Sequence, residues 1–259
     1  MHFSFEYWYM LPIAVVVATF ANSSGFSGGV LFQPIFYFFL NVPIMNSVAT
    51  GIATETIGTI RYLYYKMIEL PIGFTMIMLT IPGVVVGNYI LMIIDGNSIK
   101  LILGVILIFV ASLQIFSAIV KYYGKKKNIP VEDIYGFMWI PPIAGFFSAT
   151  TRTGICEISQ PLLERGMEVQ LKRANATVIL LEAAGDRVIT ILNLYAGLIK
   201  WERWILAGIG VIISGLIGPF ISRYLPERFI KIVFCVCIVF IGLFYILRGF
   251  EWLFNDKII

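Results

Sequence analysis

Long apolar runs alternate along the chain with short polar or glycine-rich breaks. Leu70–Ile94 and Leu101–Val120 carry no charged residue, and neither do Ile134–Thr151, Trp204–Ser222 and Ile232–Leu247. A helix of about 20 apolar residues crosses a hydrocarbon core of about 30 Å. Helices of buried soluble cores keep a polar face, and these runs leave none. The pattern therefore predicts an all-α, polytopic integral membrane protein. It places helical segments at about 8–24, 29–41, 45–65, 71–94 and 98–121, then at about 135–151, 155–165, 171–196, 201–222 and 227–250.

The two sets of five resemble one another. Gln33-Pro34 recurs as Gln160-Pro161, and Ala49-Thr50 as Ala176-Thr177. Ile52, Glu55 and Gly58 recur as Ile179, Glu182 and Gly185, all at an offset of 127 residues. Further on, Gly83 and Gly87 are matched to Gly215 and Gly218 with a drifting offset. A constant spacing that includes Gln-Pro and an intramembrane Glu reads as an internal repeat. An odd number of segments per half inverts the second half relative to the first. The expected organisation is a first membrane repeat over 1–121, a basic cytoplasmic linker over 122–133 and a second repeat over 134–259. The second segment of each half is short, and it either spans the membrane or forms a re-entrant hairpin.

Charge placement orients the chain. With the N-terminus outside, 12 of the 19 basic residues fall on the cytoplasmic side, where Lys and Arg accumulate. Both termini are then outside, and the linker lysines act as a topology anchor.

Composition narrows the function. Hydrophobic residues make up 59% of the chain and charged residues 13%, about half the charge of a soluble domain. His2 is the only histidine, which excludes a His-based metal site or catalytic triad. No P-loop is present, and no basic-aromatic pattern suggests nucleic acid. The chain reads as a non-enzyme with no cofactor and no metal. Cys156, Cys235 and Cys237 are odd in number and set in apolar sequence, so they read as packing residues and not as a disulfide framework.

The candidate chemistry lies in the breaks. Irregular backbone at membrane depth must be buried or line a cavity. Asn22–Gly29 and Ser148–Gly154 are two such breaks, each preceding a short helix. The exposed N–H groups and positive dipole of a helix start attract anions. Ser27, Gly28, Gly29 and Gln33 from the first break, with Thr151, Arg152, Thr153, Gly154 and Gln160 from the second, form the expected substrate site. A guanidinium at that depth needs a partner. Arg152 either forks onto an oxygen pair of the substrate or forms an ion pair with Glu157. Glu55 and Glu182 are candidate proton-coupling acids, because a buried carboxyl can take up protons. The other reading makes Glu182, Asp186 and Arg187 a structural network. Asn46 and Asn175 read as helix caps.

The string Gly25-Phe26-Ser27-Gly28-Gly29, then Pro34 and Ala49-Thr50, with a weaker copy at Gly154, Pro161, Ala176 and Thr177, resembles the sulfite exporter TauE/SafE family of membrane transporters. The chain departs from the usual glycine-rich string at Val30, and its second copy carries Cys156-Glu157. The resemblance covers essentially the whole chain. It implies transport of a small anion, such as sulfite, thiosulfate or an organosulfonate, across the inner membrane. The implied partners are that anion and the lipid bilayer. A coupling ion, proton or sodium, and a homodimer are left open. An anion channel and a non-transporting membrane scaffold are the competing classes.

Overall fold

A computed structural model of the chain describes residues 7–24, 27–58, 70–119, 135–222 and 227–255. Ten helices occupy the described residues, and none of these residues forms a sheet. The first five are α1 (Met10–Ser24), α2 (Gly29–Phe39), α3 (Ile44–Gly58), α4 (Leu70–Ile93) and α5 (Gly96–Ile119). The second five are α6 (Ile140–Thr151), α7 (Ile155–Pro161, continued by a π-helical turn Leu162–Gly166), α8 (Leu171–Tyr195), α9 (Trp201–Ser222) and α10 (Glu227–Asn255). The chain is an all-α membrane protein. The linker 122–133, Arg61 and Lys66 lie outside the described residues.

Three helices are long and apolar enough to cross a bilayer by themselves: Leu70–Ile93, Gly96–Phe116 and Ile232–Phe250, with mean hydropathies of 2.0, 2.5 and 2.5. Phe74, Phe109, Phe116, Phe240 and Leu247 point outward from them. In water these side chains would form a large apolar patch, whereas in lipid they are solvated. Trp8, Trp139 and Tyr195 are exposed at helix ends, where an amphipathic ring suits the headgroup level.

The sequence offset of 127 recurs in the irregular backbone. Pro34 and Pro161 lack an N–H, and their rings crowd the carbonyl one turn back. Each is followed by a π-helical turn, Ile35–Phe39 and Leu162–Gly166. Each turn is left through a residue of positive φ, Asn41 (50°) and Glu168 (56°). Equivalent hydrogen bonds then close the exits. Val42 N–H donates to the Phe36 carbonyl at 3.0 Å, and Val169 N–H donates to the Leu163 carbonyl at 2.9 Å.

Helix packing follows the same relation. The first helix of each set packs on the fourth of the other, α1 on α9 and α6 on α4. Glycines permit both approaches. A Cβ on Gly83 would fall on the Pro142 carbonyl, and one on Gly210 would lie 2.6 Å from the Leu11 carbonyl. Gly210, at the offset of 127, therefore holds the position equivalent to Gly83; no described residue lies within 4 Å of a Cβ at Gly215. The fifth helices cross antiparallel, with Gly249 against Leu101, Gly104 against Ile246 and Gly242 against Ile108. The third helices also run antiparallel. Thr56 and Thr190 hydroxyls meet at 2.9 Å near one end, and Asn46 Nδ2 donates to the Leu198 carbonyl at 2.7 Å near the other.

That last contact corrects the reading of Asn46 as a cap, because its side chain ties α3 to the chain beyond α8. Asn175 lies inside α8, past its first turn. Cys235 is buried and Cys237 exposed, as two residues on opposite helix faces should be.

Candidate functional site

The site forms where the two breaks meet α3 and α8. In the first break, α2 starts at Gly29 with Gly28 before it. Among the described residues of that segment, no side chain caps the exposed amides. The partner comes instead from α3, one helix further on. Glu55 Oε1 accepts the Gly28 N–H at 2.6 Å, and Oε2 accepts the Gly29 N–H at 2.7 Å. The Ser27 hydroxyl donates to the same carboxylate at 2.8 Å. A carboxylate at this position satisfies orphan donors and meets the positive helix end.

In the second break α6 ends at Thr151, and Arg152 turns the chain with a φ of 68°. Gly154 follows with a φ of 154°, a conformation open to glycine alone, and a Cβ there would strike the Ala144 carbonyl at 2.4 Å. Here the helix supplies its own anion. Glu157 Oε2 accepts the Gly154 N–H at 2.8 Å. Its Oε1 accepts the Ser27 N–H at 3.3 Å. One carboxylate thus bridges the two breaks, and they face one another.

Arg152 lies between them with no exposed surface. Its Nη1 and Nη2 donate to the two Asp186 oxygens at 2.6 and 2.7 Å. Nη2 also donates to Glu55 Oε2. The expected partner Glu157 is not the one used. It is taken up by backbone amides, and the planar fork of Arg152 fits the bidentate carboxylate of Asp186 better. Nε has no partner among the described residues and lies 2.0 Å from where a Gly29 Cβ would be. Gly29 is therefore the floor on which the guanidinium rests.

Around this pair the interior is acidic. Glu55, Glu182 and Asp186 each place a carboxylate oxygen within 4.8 Å of the others, and all three are buried. Glu182 Oε2 accepts the thiol of Cys156 at 3.1 Å. Four buried carboxyls, Glu55, Glu157, Glu182 and Asp186, surround one guanidinium. Buried charge is tolerated only when a partner, a proton or a cation neutralises it. Arg152 balances a single carboxylate.

The expected site residues divide into two groups. Ser27, Gly28, Gly29, Arg152, Gly154, Glu55 and Glu182 converge on the cluster. Thr151 and Thr153 are buried, but their hydroxyls bond each other at 3.0 Å, and Thr151 also donates to the Phe147 carbonyl. Gln160 is buried on α7. Gln33 is fully buried on α2, and among the described residues neither polar atom of its amide has a partner. Arg187 turns away and donates to the Ala183 carbonyl of its own helix at 3.3 Å. Glu157, Asp186 and Cys156 belong to the site although the sequence reading left them out of it. Glu157 in the apolar start of α7, and Asp186 one turn after Glu182 on α8, were the available signal.

No curated protein and no solved structure matches the chain. The sequence pattern described as Sulfite exporter TauE/SafE matches residues 10–245, nearly the whole length and both breaks. A family of membrane transporters agrees with the apolar helices. The chain belongs to the sulfite exporter TauE/SafE family.

Proposed function

We propose that this protein is a secondary transporter that carries a small sulfur oxyanion, sulfite, thiosulfate or an organosulfonate, across the inner membrane by alternating access. The observation that carries this reading is the seat of the Glu55 carboxylate. An oxyanion is already held there by two helix-start amides, a hydroxyl and a guanidinium, all buried between two broken helices. A substrate oxyanion needs the same donors in the same geometry. The substrate class comes from the family.

The transport cycle rests on two repeats, residues 1–121 and 134–259, joined by the linker 122–133. Equivalent helices cross antiparallel, as inversion of one repeat relative to the other requires. Rocking of one repeat against the other exposes the central site to each side in turn. The cluster is buried in this conformation, which corresponds to the occluded stage of that cycle. Ser27, Gly28, Gly29, Arg152 and Gly154 bind the anion, and Gln33, Thr151, Thr153 and Gln160 line its surroundings. Both termini face outward.

The experiment is a thermal-shift titration of the purified protein with sulfite, thiosulfate, methanesulfonate and acetate. A ligand that binds the folded state raises apparent stability. The sulfur oxyanions should raise the melting temperature and acetate should not. Absence of any shift with all three sulfur anions would refute the reading.

A further inference from the structure

We propose that Glu55 is a tethered stand-in for the substrate, and that it must take up a proton and leave its seat for each anion bound. The inference rests on the transport reading above and adds its coupling. The seat has one set of donors and two claimants. Gly28 N–H, Gly29 N–H, the Ser27 hydroxyl and Nη2 of Arg152 all point at the Glu55 carboxylate. Gly28 and Gly29 begin a continuous helix that runs to Phe39. The fully buried Arg152 Nε, without a partner, lies over the same Gly29.

Every charged or titratable group facing Glu55 bears on the outcome. From the second break comes Arg152. From α7 come Glu157 and Cys156, and from α8 come Glu182 and Asp186. Four of these five are acids or a thiol. An incoming anion beside a charged Glu55 would add like charge to a buried acidic cluster, which a low-dielectric interior disfavours. A proton on Glu55 removes its charge and its claim on the amides. The other acids do not compete for this seat. Asp186 is clamped by both Arg152 nitrogens, Glu157 is spread over Ser27 and Gly154, and Glu182 faces Cys156. Glu55 alone spans the helix start and the guanidinium. Anion and proton therefore bind together and travel together.

The test uses thiosulfate and methanesulfonate, whose charges stay constant between about pH 5 and 9, with sulfite alongside them. Binding to the wild-type protein should weaken about tenfold per pH unit on the alkaline side, as one linked proton requires. Each anion bound should draw about one proton from a weakly buffered solution. Glu55→Gln should bind more tightly, with the pH slope and the proton uptake gone. Glu202→Gln, at an exposed acid in the first turn of α9 and outside the cluster, should keep both. Should Glu55→Gln fail to fold, the wild-type proton uptake decides the matter by itself. Anion binding without a pH slope or proton uptake in the wild type overturns this coupling and leaves the transport reading standing. A slope that survives Glu55→Gln does the same. No binding of any of the three anions overturns both.

Discussion

Arg152 and Glu55, 97 residues apart in sequence, share a buried ion pair that joins the second break to the first. The same Glu55 oxygen accepts the Gly29 amide. The two halves of the chain thus meet through one carboxylate that binds a guanidinium and a helix start together. A third group, Asp186, sets the direction of the guanidinium.

Loss of Asp186 should unsettle this arrangement more than loss of an exposed charge. Removing one partner of a buried pair leaves the other uncompensated and costs about 3–5 kcal/mol. Asp186→Asn should therefore lower the melting temperature sharply, read by thermal unfolding in detergent. A stability equal to wild type would mean that Asp186 is not the main partner of Arg152.

Gly29→Ala tests the floor beneath Arg152. Its Cβ would fall within 2.0 Å of Nε and 2.7 Å of Cγ, so the guanidinium must move. A displacement of about 1 Å at a binding site can cost on the order of 100-fold in activity. Flux in proteoliposomes should drop on that scale. Gly136→Ala, where no described residue lies within 4 Å of the new Cβ, should leave it unchanged.

Gln33 carries a cost in the folded protein that its removal should reveal. Both of its amide atoms are buried and unpaired, which is unfavourable by about 1–3 kcal/mol for each group left unsatisfied. Gln33→Met should raise thermal stability while weakening anion binding. A variant with stability and binding both unchanged would exclude Gln33 from the site.

Asp95 gives a pH dependence outside the membrane segments. Its carboxylate accepts the Asn97 and Ser98 amides at 3.1 and 2.9 Å, at the start of α5. Bonds from the Ser98 side chain, then from the Ser98 backbone, hold its pKa below the ordinary value of 3.8. A depressed folded pKa means that the stabilisation is complete above 3.8 and is lost as pH falls through the lower folded value. Asp95→Ala should melt at a lower temperature than wild type at neutral pH, and the difference should vanish on acidification. A difference that holds constant through acid would disprove the charge-based cap.

Much of this architecture could be read from local pattern. Apolar runs marked the helices, and glycine with small polar residues marked the breaks. Gln-Pro at a fixed spacing marked two short segments, and the π-helical turn that follows each Pro emerges only in the fold. Burial of Arg152 and Glu55 also followed from their place in apolar sequence. Partner choice did not. Glu157 lies five residues from Arg152 and was the natural candidate, yet its own helix start claims it. Asp186 and Glu55 reach Arg152 only once α3 and α8 have packed, a long-range event that spacing does not encode. The match of Gly83 to Gly215 let the offset drift. The constant offset of 127 leads to Gly210, and contact with the α1 backbone marks that glycine as the equivalent position.

Counterflow of radiolabelled sulfite into proteoliposomes tests the central claim most directly. The account predicts saturable uptake that unlabelled sulfite inside the vesicles accelerates, and that Arg152→Ala abolishes. Uptake that rises linearly with concentration, ignores internal sulfite or persists in Arg152→Ala would contradict a carrier built around this guanidinium.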